Sequence, residues 1–111
     1  MGKSDQVYLI HVLRSINQIL DYTHGISEKE FYKNHLIQDA VVRNFEIIGE
    51  ATKQISKSTT DMYPILNGKK MAGMRDKLIH DYIDVDFTVI WATVQEILPD
   101  LKIDIQKIIE V

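Results

Sequence analysis

Apolar residues recur along this chain at intervals of three and four, which places them on one face of an α-helix. The first such stripe consists of Leu9, Leu13, Ile16 and Leu20. Gly25 is predicted to end this first helix, because glycine tolerates the left-handed conformation common just after a helix. No segment alternates apolar and polar residues as a strand does, and no repeat is present. The pattern predicts an all-α protein.

The second predicted helix has the clearest start signal in the chain. Ser27 and Glu30 have capping-box spacing, in which each side chain satisfies a backbone N–H at the helix start. We predict that the helix begins near Glu28 and bends around Asn34. Its apolar stripe, in which Asn44 is the polar member, is Ile37, Val41, Asn44, Ile48, Ala51 and Ile55.

Residues 56–61 are a polar run that we interpret as a loop. A third helix is predicted from about residue 69 to near residue 82. Asp86 is expected to cap a fourth helix, which Pro99 either kinks or divides. Its stripe is Phe87, Ile90, Val94, Ile97, Leu101, Ile105 and Ile108. We therefore expect an up-and-down bundle of four to five helices.

Composition adds limits on the class of protein. The 111 residues predict one domain spanning 1–111, and the absence of cysteine excludes disulfides, a thiolate zinc site and a cysteine nucleophile. The net charge of −3 argues against a broadly basic surface for nucleic acid. No apolar run approaches the length of a membrane span, and the first residues lead into an amphipathic segment. We expect a cytoplasmic protein without membrane contact.

One segment combines a permanent cation, an imidazole and a phenol, because Arg75, His80 and Tyr82 fall within eight positions. Arg75 can hold a phosphodiester and stabilise the charge that grows in its transition state. Histidine changes charge near neutral pH, so His80 can act as a general base or acid. Tyr82 can position a substrate, receive a modification or pack as a core aromatic.

The helical spacing of these residues raises a geometric problem. On a straight helix, residues five apart differ by ~140° and residues seven apart by ~20°, so His80 points away from Arg75 and Tyr82. Either the helix distorts, or the groups converge from two chains. A two-fold homodimer would bring two copies of Arg75 and His80 to one cleft. We hypothesise such a composite site.

The pattern R-x4-H-x-Y formed by Arg75, His80 and Tyr82 resembles the motif of the HEPN superfamily, and the surrounding sequence is similar to its HepT-like toxin branch. Residues 38–51 (QDAVVRNFEIIGEA) and residues 84–86 (DVD) also resemble that branch. Two separated segments thus agree in order, and the resemblance covers most of the chain.

This resemblance implies a HEPN-like fold and a metal-independent endoribonuclease toxin that is active as a homodimer and needs no cofactor. Its implied partners are RNA and a minimal nucleotidyltransferase antitoxin encoded beside it, with which the dimer can form a larger hetero-oligomer. In this family the antitoxin can silence the toxin by attaching AMP to the motif tyrosine, here Tyr82.

One position departs from the family pattern. Many HEPN ribonucleases carry Asn directly after the motif arginine, whereas this chain has Asp76. A carboxylate beside a phosphate site is electrostatically unfavourable. Asp76 could instead orient His80 from one helical turn away.

Three alternatives stay open at this point. Asp76, His80 and Asp84 repeat every four residues and could hold a metal, but the chain is expected to leave the helix before Asp84. The polar residues on or beside the second stripe, Arg43, Asn44, Glu46 and Glu50, form buried or interfacial salt bridges, or Arg43 and Asn44 line the dimer cleft and support the catalytic pair. Finally, the protein could be a non-catalytic module that binds nucleotide or substrate for a nucleotidyltransferase.

Overall fold

The fold is built from α-helices. The structure is a computed structural model and describes residues 2–66 and 84–110. The described helices are α1 (Lys3–Thr23), α2 (Glu28–Lys33), α3 (His35–Lys53), α4 (Lys57–Met62), α5 (Phe87–Glu96) and α6 (Leu98–Glu110), with a 3-10 turn at Pro64–Leu66. The predicted all-α fold is confirmed. The third predicted helix, from about residue 69 to residue 82, lies outside the described residues.

Helix α1 packs against both α3 and α6. Its fully buried side chains are Leu9, Val12, Ile16 and Ile19. Leu13 and Leu20, which belong to the predicted stripe, are only partly buried beside this line. Both stripes have helical spacing, so the sequence pattern alone does not decide which one faces the core. The positions of α3 and α6 decide it.

The predicted start of the second helix is confirmed. The Ser27 hydroxyl accepts a hydrogen bond from the Glu30 backbone N–H at 3.1 Å, and a Glu30 carboxylate oxygen accepts one from the Ser27 N–H at 3.4 Å. The predicted bend divides the segment into α2 and α3 at Asn34, whose side chain caps α3 by accepting from the Ile37 N–H at 3.0 Å. Gly25, at φ +76°, provides the left-handed turn before it.

A buried glutamine fixes the junction between α2 and α3. The Gln38 amide nitrogen donates to the backbone carbonyls of Phe31 and Tyr32, at 3.0 and 3.1 Å. These carbonyls belong to the last turn of α2, where a helix lacks internal donors. Gln38 thereby holds α2 against α3.

The prediction of a loop at residues 56–61 is wrong, because this segment contains α4. Ser56 caps the helix, its hydroxyl accepting from the Thr59 backbone N–H. A second contact comes from α1: one Asp5 carboxylate oxygen accepts from the Ser56 N–H at 2.9 Å. Its other oxygen accepts from the Ser56 and Thr59 hydroxyls, both at 2.6 Å. A distant carboxylate thus stabilises a helix start that its own sequence leaves ambiguous.

The last predicted helix is divided near Pro99. Helix α5 ends at Glu96 and α6 begins at Leu98, so Pro99 occupies an early position of α6, where its missing N–H costs little. The division exchanges one buried residue of the stripe for its neighbour. Leu98 is fully buried, whereas Ile97, which was predicted to face the core, is 49% exposed. That prediction is wrong at Ile97 and confirmed for the other buried members of the stripe, Ile90, Val94, Leu101, Ile105 and Ile108.

The helices of the described part of the chain are too short or too polar to cross a membrane.

Removing the charge at Asp5 should destabilise the protein at neutral pH. Asp5 is only 5% exposed, and hydrogen bonds from Ser56 and Thr59 lower the pKa of its carboxyl. We expect Asp5→Asn to cost about 2 kcal/mol in urea unfolding at pH 7. A lowered folded-state pKa gives stability that is present above the unfolded value near 3.8 and is lost as pH falls through the folded value.

The difference between wild type and Asp5→Asn should therefore shrink below about pH 4. Asp21→Asn, which changes an exposed carboxyl on the same helix, is the control and should stay within about 0.5 kcal/mol. An equal effect of both substitutions would contradict a specific role for Asp5.

Candidate functional site

The predicted motif residues Arg75, Asp76, His80 and Tyr82 lie outside the described residues. Their convergence on one site stays a prediction. The structure describes the elements on either side of the motif in the chain, together with both supporting residues, Arg43 and Asn44. It therefore shows the elements that precede and follow the motif in the sequence and the surroundings of Arg43 and Asn44.

The chain that follows the motif is fixed by the start of α5. As predicted, Asp86 caps this helix: its Oδ1 accepts from the Thr88 and Val89 backbone N–H groups at 3.1 and 3.2 Å. Asp86 lies four residues after Tyr82 in the sequence. The motif thus leads within a few residues into a capped helix.

Helix α2 contacts this helix start through aromatic groups. Phe31 is fully buried, with ring centroids 6.1 Å from Phe87 and 5.2 Å from Trp91. The neighbouring Tyr32 hydroxyl donates to a Glu28 carboxylate oxygen and also bonds the Thr88 side chain. The bond to Glu28 raises the pKa of Tyr32. Stacking and hydrogen bonding together hold the first turn of α5 against α2.

Arg43 lies on the exposed side of α3 and lines a groove between α1 and α3. The groove has a volume of about 400 Å³, and its lining includes Tyr8 and His11 from α1 and Arg43, Glu46 and Glu50 from α3. Tyr8 and His11 are more than thirty residues from Arg43 in the sequence, so only the packing of α1 on α3 reveals that they share a groove.

Among residues 2–66 and 84–110, no buried salt bridge forms around Arg43, while interfacial salt bridging stays a prediction. Glu50 pairs with Lys53 at 3.6 Å, but both side chains are at least half exposed, so this bond adds little stability. Arg43 is exposed and has no carboxylate within 4 Å among residues 2–66 and 84–110. Its guanidinium is available to another molecule.

Asn44, by contrast, lies in the core at 4% exposure, as its place in the apolar stripe predicts. Its amide nitrogen donates to the Ala40 carbonyl at 2.9 Å. Its amide oxygen is buried and finds no donor among the described side chains and backbone. A buried unpaired amide oxygen is costly, which distinguishes Asn44 from its packed neighbours.

His24 and His35 lie exposed on the surface. Across the described ranges, no group of three His, Cys, Asp or Glu side chains could hold a metal ion. Asp76 and His80 of the alternative metal set lie outside those ranges, and Asp84 alone is described.

The fold is of the HEPN type. A solved structure of a tri-AMPylated HEPN toxin of Shewanella oneidensis, in complex with an MNT antitoxin, matches this chain with a TM-score of 0.67. The two share 24% sequence identity, and the match covers 97% of this chain and 98% of the toxin. At this identity the likeness establishes the architecture.

A family model described as ribonuclease HepT-like matches residues 12–108, so the chain belongs to this family of ribonucleases. A protein of Methanocaldococcus jannaschii whose name proposes an RNase is 40% identical over 99% of this chain and 92% of its own length. A second relative, described as the probable ribonuclease HepT of Thermococcus cleftensis, is 40% identical over 97% of this chain and 98% of its own length. The family resemblance noted in the sequence is confirmed.

Replacing Asn44 with leucine should separate its chemical role from its packing role. Because one amide oxygen has no described donor, Asn44→Leu should change unfolding stability by about 1 kcal/mol or less. We expect RNA cleavage to fall at least about tenfold, as for residues that orient a catalytic group. Thr52→Val, at a 1% exposed position on the same helix, is the control and should leave cleavage unchanged. Full activity of Asn44→Leu would reduce Asn44 to a packing residue.

Proposed function

We propose that this protein is a metal-independent endoribonuclease toxin whose site combines Arg75 and His80 from two chains. The observation that carries the proposal is the ribonuclease HepT-like match over residues 12–108, which includes the R-x4-H-x-Y pattern. Cytoplasmic RNA is the substrate.

The reaction needs one bond to form and one to break at phosphorus. The ribose 2′-oxygen attacks the adjacent phosphorus, and the bond from phosphorus to the 5′-oxygen breaks, which leaves a 2′,3′-cyclic phosphate and a 5′-hydroxyl. His80 of one chain accepts the 2′-hydroxyl proton, and His80 of the second chain donates a proton to the leaving 5′-oxygen. Arg75 binds the non-bridging phosphate oxygens and stabilises their growing charge.

The composite site follows from the number of groups that this reaction requires. General acid and general base catalysis use two proton-transfer groups, while the motif supplies one histidine per chain. A two-fold axis doubles each residue in a shared cleft, so neither an extra histidine nor a metal is needed. Arg43 and Asn44 support this cleft from α3, and Asp76 orients His80.

Regulation by a nucleotidyltransferase antitoxin fits the same motif. The HEPN toxin of Shewanella oneidensis was solved with AMP groups attached and with its MNT antitoxin bound. In this chain the acceptor is Tyr82, whose phenolic oxygen attacks the α-phosphorus of ATP and displaces pyrophosphate. The attached AMP adds a negative phosphate and a bulky base two residues from His80, which opposes RNA binding by charge and volume.

A second candidate is a binding module that presents nucleotide or substrate to a nucleotidyltransferase without breaking a bond. The acidic net charge of −3 and the carboxylate of Asp76 favour this alternative, because negative charge near the phosphate opposes the further charge that grows in the transition state of cleavage. Arg75 and His80 would then contact phosphate only.

A single deoxy substitution tests the cleavage mechanism. RNA with one 2′-deoxyribose on the 5′ side of the cut should not be cleaved there, whereas EDTA should leave the rate on unmodified RNA unchanged. His80→Ala should reduce the rate at least about a hundredfold, since general acid and base catalysis are lost. Cleavage is followed by gel electrophoresis and folding by circular dichroism.

His24→Ala, an exposed histidine far from the motif in sequence, is the matched control and should be fully active. Cleavage at the deoxy position would reject attack by the 2′-hydroxyl. Equal inactivity of wild type and His80→Ala would favour the binding module.

Co-expression with a neighbouring nucleotidyltransferase tests Tyr82. Intact mass should increase by whole AMP groups in the wild type, and the modified protein should lose RNA cleavage. Tyr82→Phe should show no increase, because the attacking oxygen is removed. Tyr32→Phe, which removes an exposed phenol on α2, should be modified like the wild type. AMP addition to Tyr82→Phe would place the acceptor elsewhere.

A further inference from the structure

The groove between α1 and α3 combines an aromatic ring with carboxylates. Helix α1 contributes Tyr8, which is half-buried and packs against the core, so its ring is held in place. Helix α3 contributes Glu46 and Glu50, which lie on one face of the helix because they are four residues apart. The groove therefore offers a flat apolar surface together with hydrogen-bond acceptors.

The carboxylate of Glu46 is not used by the fold. Among residues 2–66 and 84–110 it has neither a hydrogen bond nor an ion pair, although its side chain is half-buried. Glu50 is exposed and contacts Lys53 weakly at 3.6 Å. Like charges four residues apart weaken a helix, so helix stability does not explain this pair of glutamates. An ionised carboxylate only accepts hydrogen bonds, so Glu46 is suited to a ligand that donates them.

The shape of this region fits a strand better than a single small molecule. The groove has a volume of about 400 Å³, which lies within the range of ~300–1,000 Å³ common for ligand sites. It adjoins a second groove of about 210 Å³ that Arg14 and Gln18 line, and His11 lines both. Each groove thus carries an arginine, Arg14 or Arg43, that has no ion pair within the described ranges. Separated cations along connected grooves are typical of sites for single-stranded nucleic acid.

We propose that the groove between α1 and α3 binds a guanine base of single-stranded RNA, with Tyr8 stacked on the base, Glu46 accepting hydrogen bonds from its edge and Arg43 on a neighbouring phosphate. This site is named the guanine subsite below. The inference rests on the proposed function, because it takes RNA as the ligand and adds a base preference to it. Single-stranded RNA is commonly recognised through bases that stack on aromatic side chains and form hydrogen bonds at their edges.

Guanine is the base whose edge matches a carboxylate. Its N1–H and its 2-amino group are neighbouring donors, which the two oxygens of one carboxylate accept together. Adenine and cytosine each present one amino donor beside an acceptor nitrogen, and uracil presents one N–H between two carbonyl oxygens. Those acceptors repel a carboxylate. A paired contact of this kind discriminates between bases by about tenfold.

The charges of the groove also orient the strand. Arg43 attracts any phosphate regardless of sequence, whereas Glu46 and Glu50 repel phosphate. The neutral base is therefore the part of a nucleotide that enters between the carboxylates and Tyr8, while the phosphate stays beside the arginine. Base recognition and phosphate binding are thus assigned to different side chains.

Binding of short RNA measures the base preference directly. An oligouridylate with a single central guanosine, adenosine or inosine is titrated with the His80→Ala protein, which leaves the strand uncut, and binding is followed by fluorescence anisotropy. The guanosine strand should bind about tenfold more tightly than the adenosine strand. It should bind about fivefold more tightly than the inosine strand, because inosine lacks the 2-amino group.

Substitution of Glu46 in the same protein tests which side chain reads the base. Glu46→Gln should abolish the guanine preference and shift it toward adenine, because an amide pairs a donor with an acceptor as adenine does. Loss of charge alone would instead change the affinity for all strands by one factor. Glu96→Gln removes the same charge from an exposed position on α5 and is the matched control, which should keep the guanine preference.

Substitution of Tyr8 tests stacking. Tyr8→Leu should weaken the binding of every strand at least about fivefold, whereas Tyr8→Phe, which keeps the ring, should bind like the His80→Ala protein itself. Because Tyr8 also packs against the core, thermal unfolding of both variants is measured alongside. Equal binding by folded Tyr8→Leu and Tyr8→Phe would reject the stacking role.

The positions of the cuts made by the wild type separate the guanine subsite from the proposed function. In RNA of random sequence, guanine should be enriched at one fixed distance from the cut, and Glu46→Gln should lose this enrichment. Cleavage without a base preference, equal binding of the guanosine and inosine strands, or a guanine preference that survives Glu46→Gln would each overturn the subsite and leave the ribonuclease assignment intact. Selective binding of the guanosine strand by a protein whose wild type cuts no RNA would reject the ribonuclease assignment and leave the subsite.

Discussion

The packing of α1 between α3 and α6 is the interaction on which the other described elements depend. Leu9, Val12, Ile16 and Ile19 are fully buried, and each such side chain contributes about 2 kcal/mol through the apolar surface that it removes from water. Because α3 and α6 are far apart in the sequence, their common contact with α1 places them in one core. The same packing leaves Arg43 and Glu50 on the outside and brings Tyr8 and His11 beside them.

Features that depend on neighbouring residues could be predicted from the sequence. The capping box at Ser27, the bend at Asn34 and the cap at Asp86 each require groups within three residues, and all three are present. The burial of Asn44 followed from helical periodicity alone. Helix α4 could not be predicted, because the carboxylate that stabilises its start belongs to Asp5, 51 residues before Ser56. The exchange of Ile97 for Leu98 depends on how the helix restarts at Pro99, which periodicity does not specify.

The candidate site shows the same distinction between local and distant information. The types and spacing of Arg75, His80 and Tyr82 are visible in the sequence and agree with the ribonuclease family match. Whether these groups meet cannot be predicted from the sequence, because residues five apart on a straight helix differ by ~140° in direction. The grooves between α1 and α3 also could not be predicted from the sequence, since they combine residues of two helices that are separated in the chain by α2.

The amide of Gln38 has a mechanical consequence. Because it binds the last carbonyls of α2 from within α3, these two helices behave as one rigid arm rather than as segments joined by a pliable linker. The aromatic end of that arm touches α5 through Phe31 and Tyr32. Because Phe31 also belongs to the core, a change in the packing of α3 would be transmitted to the start of α5, which follows Tyr82 by a few residues in the sequence.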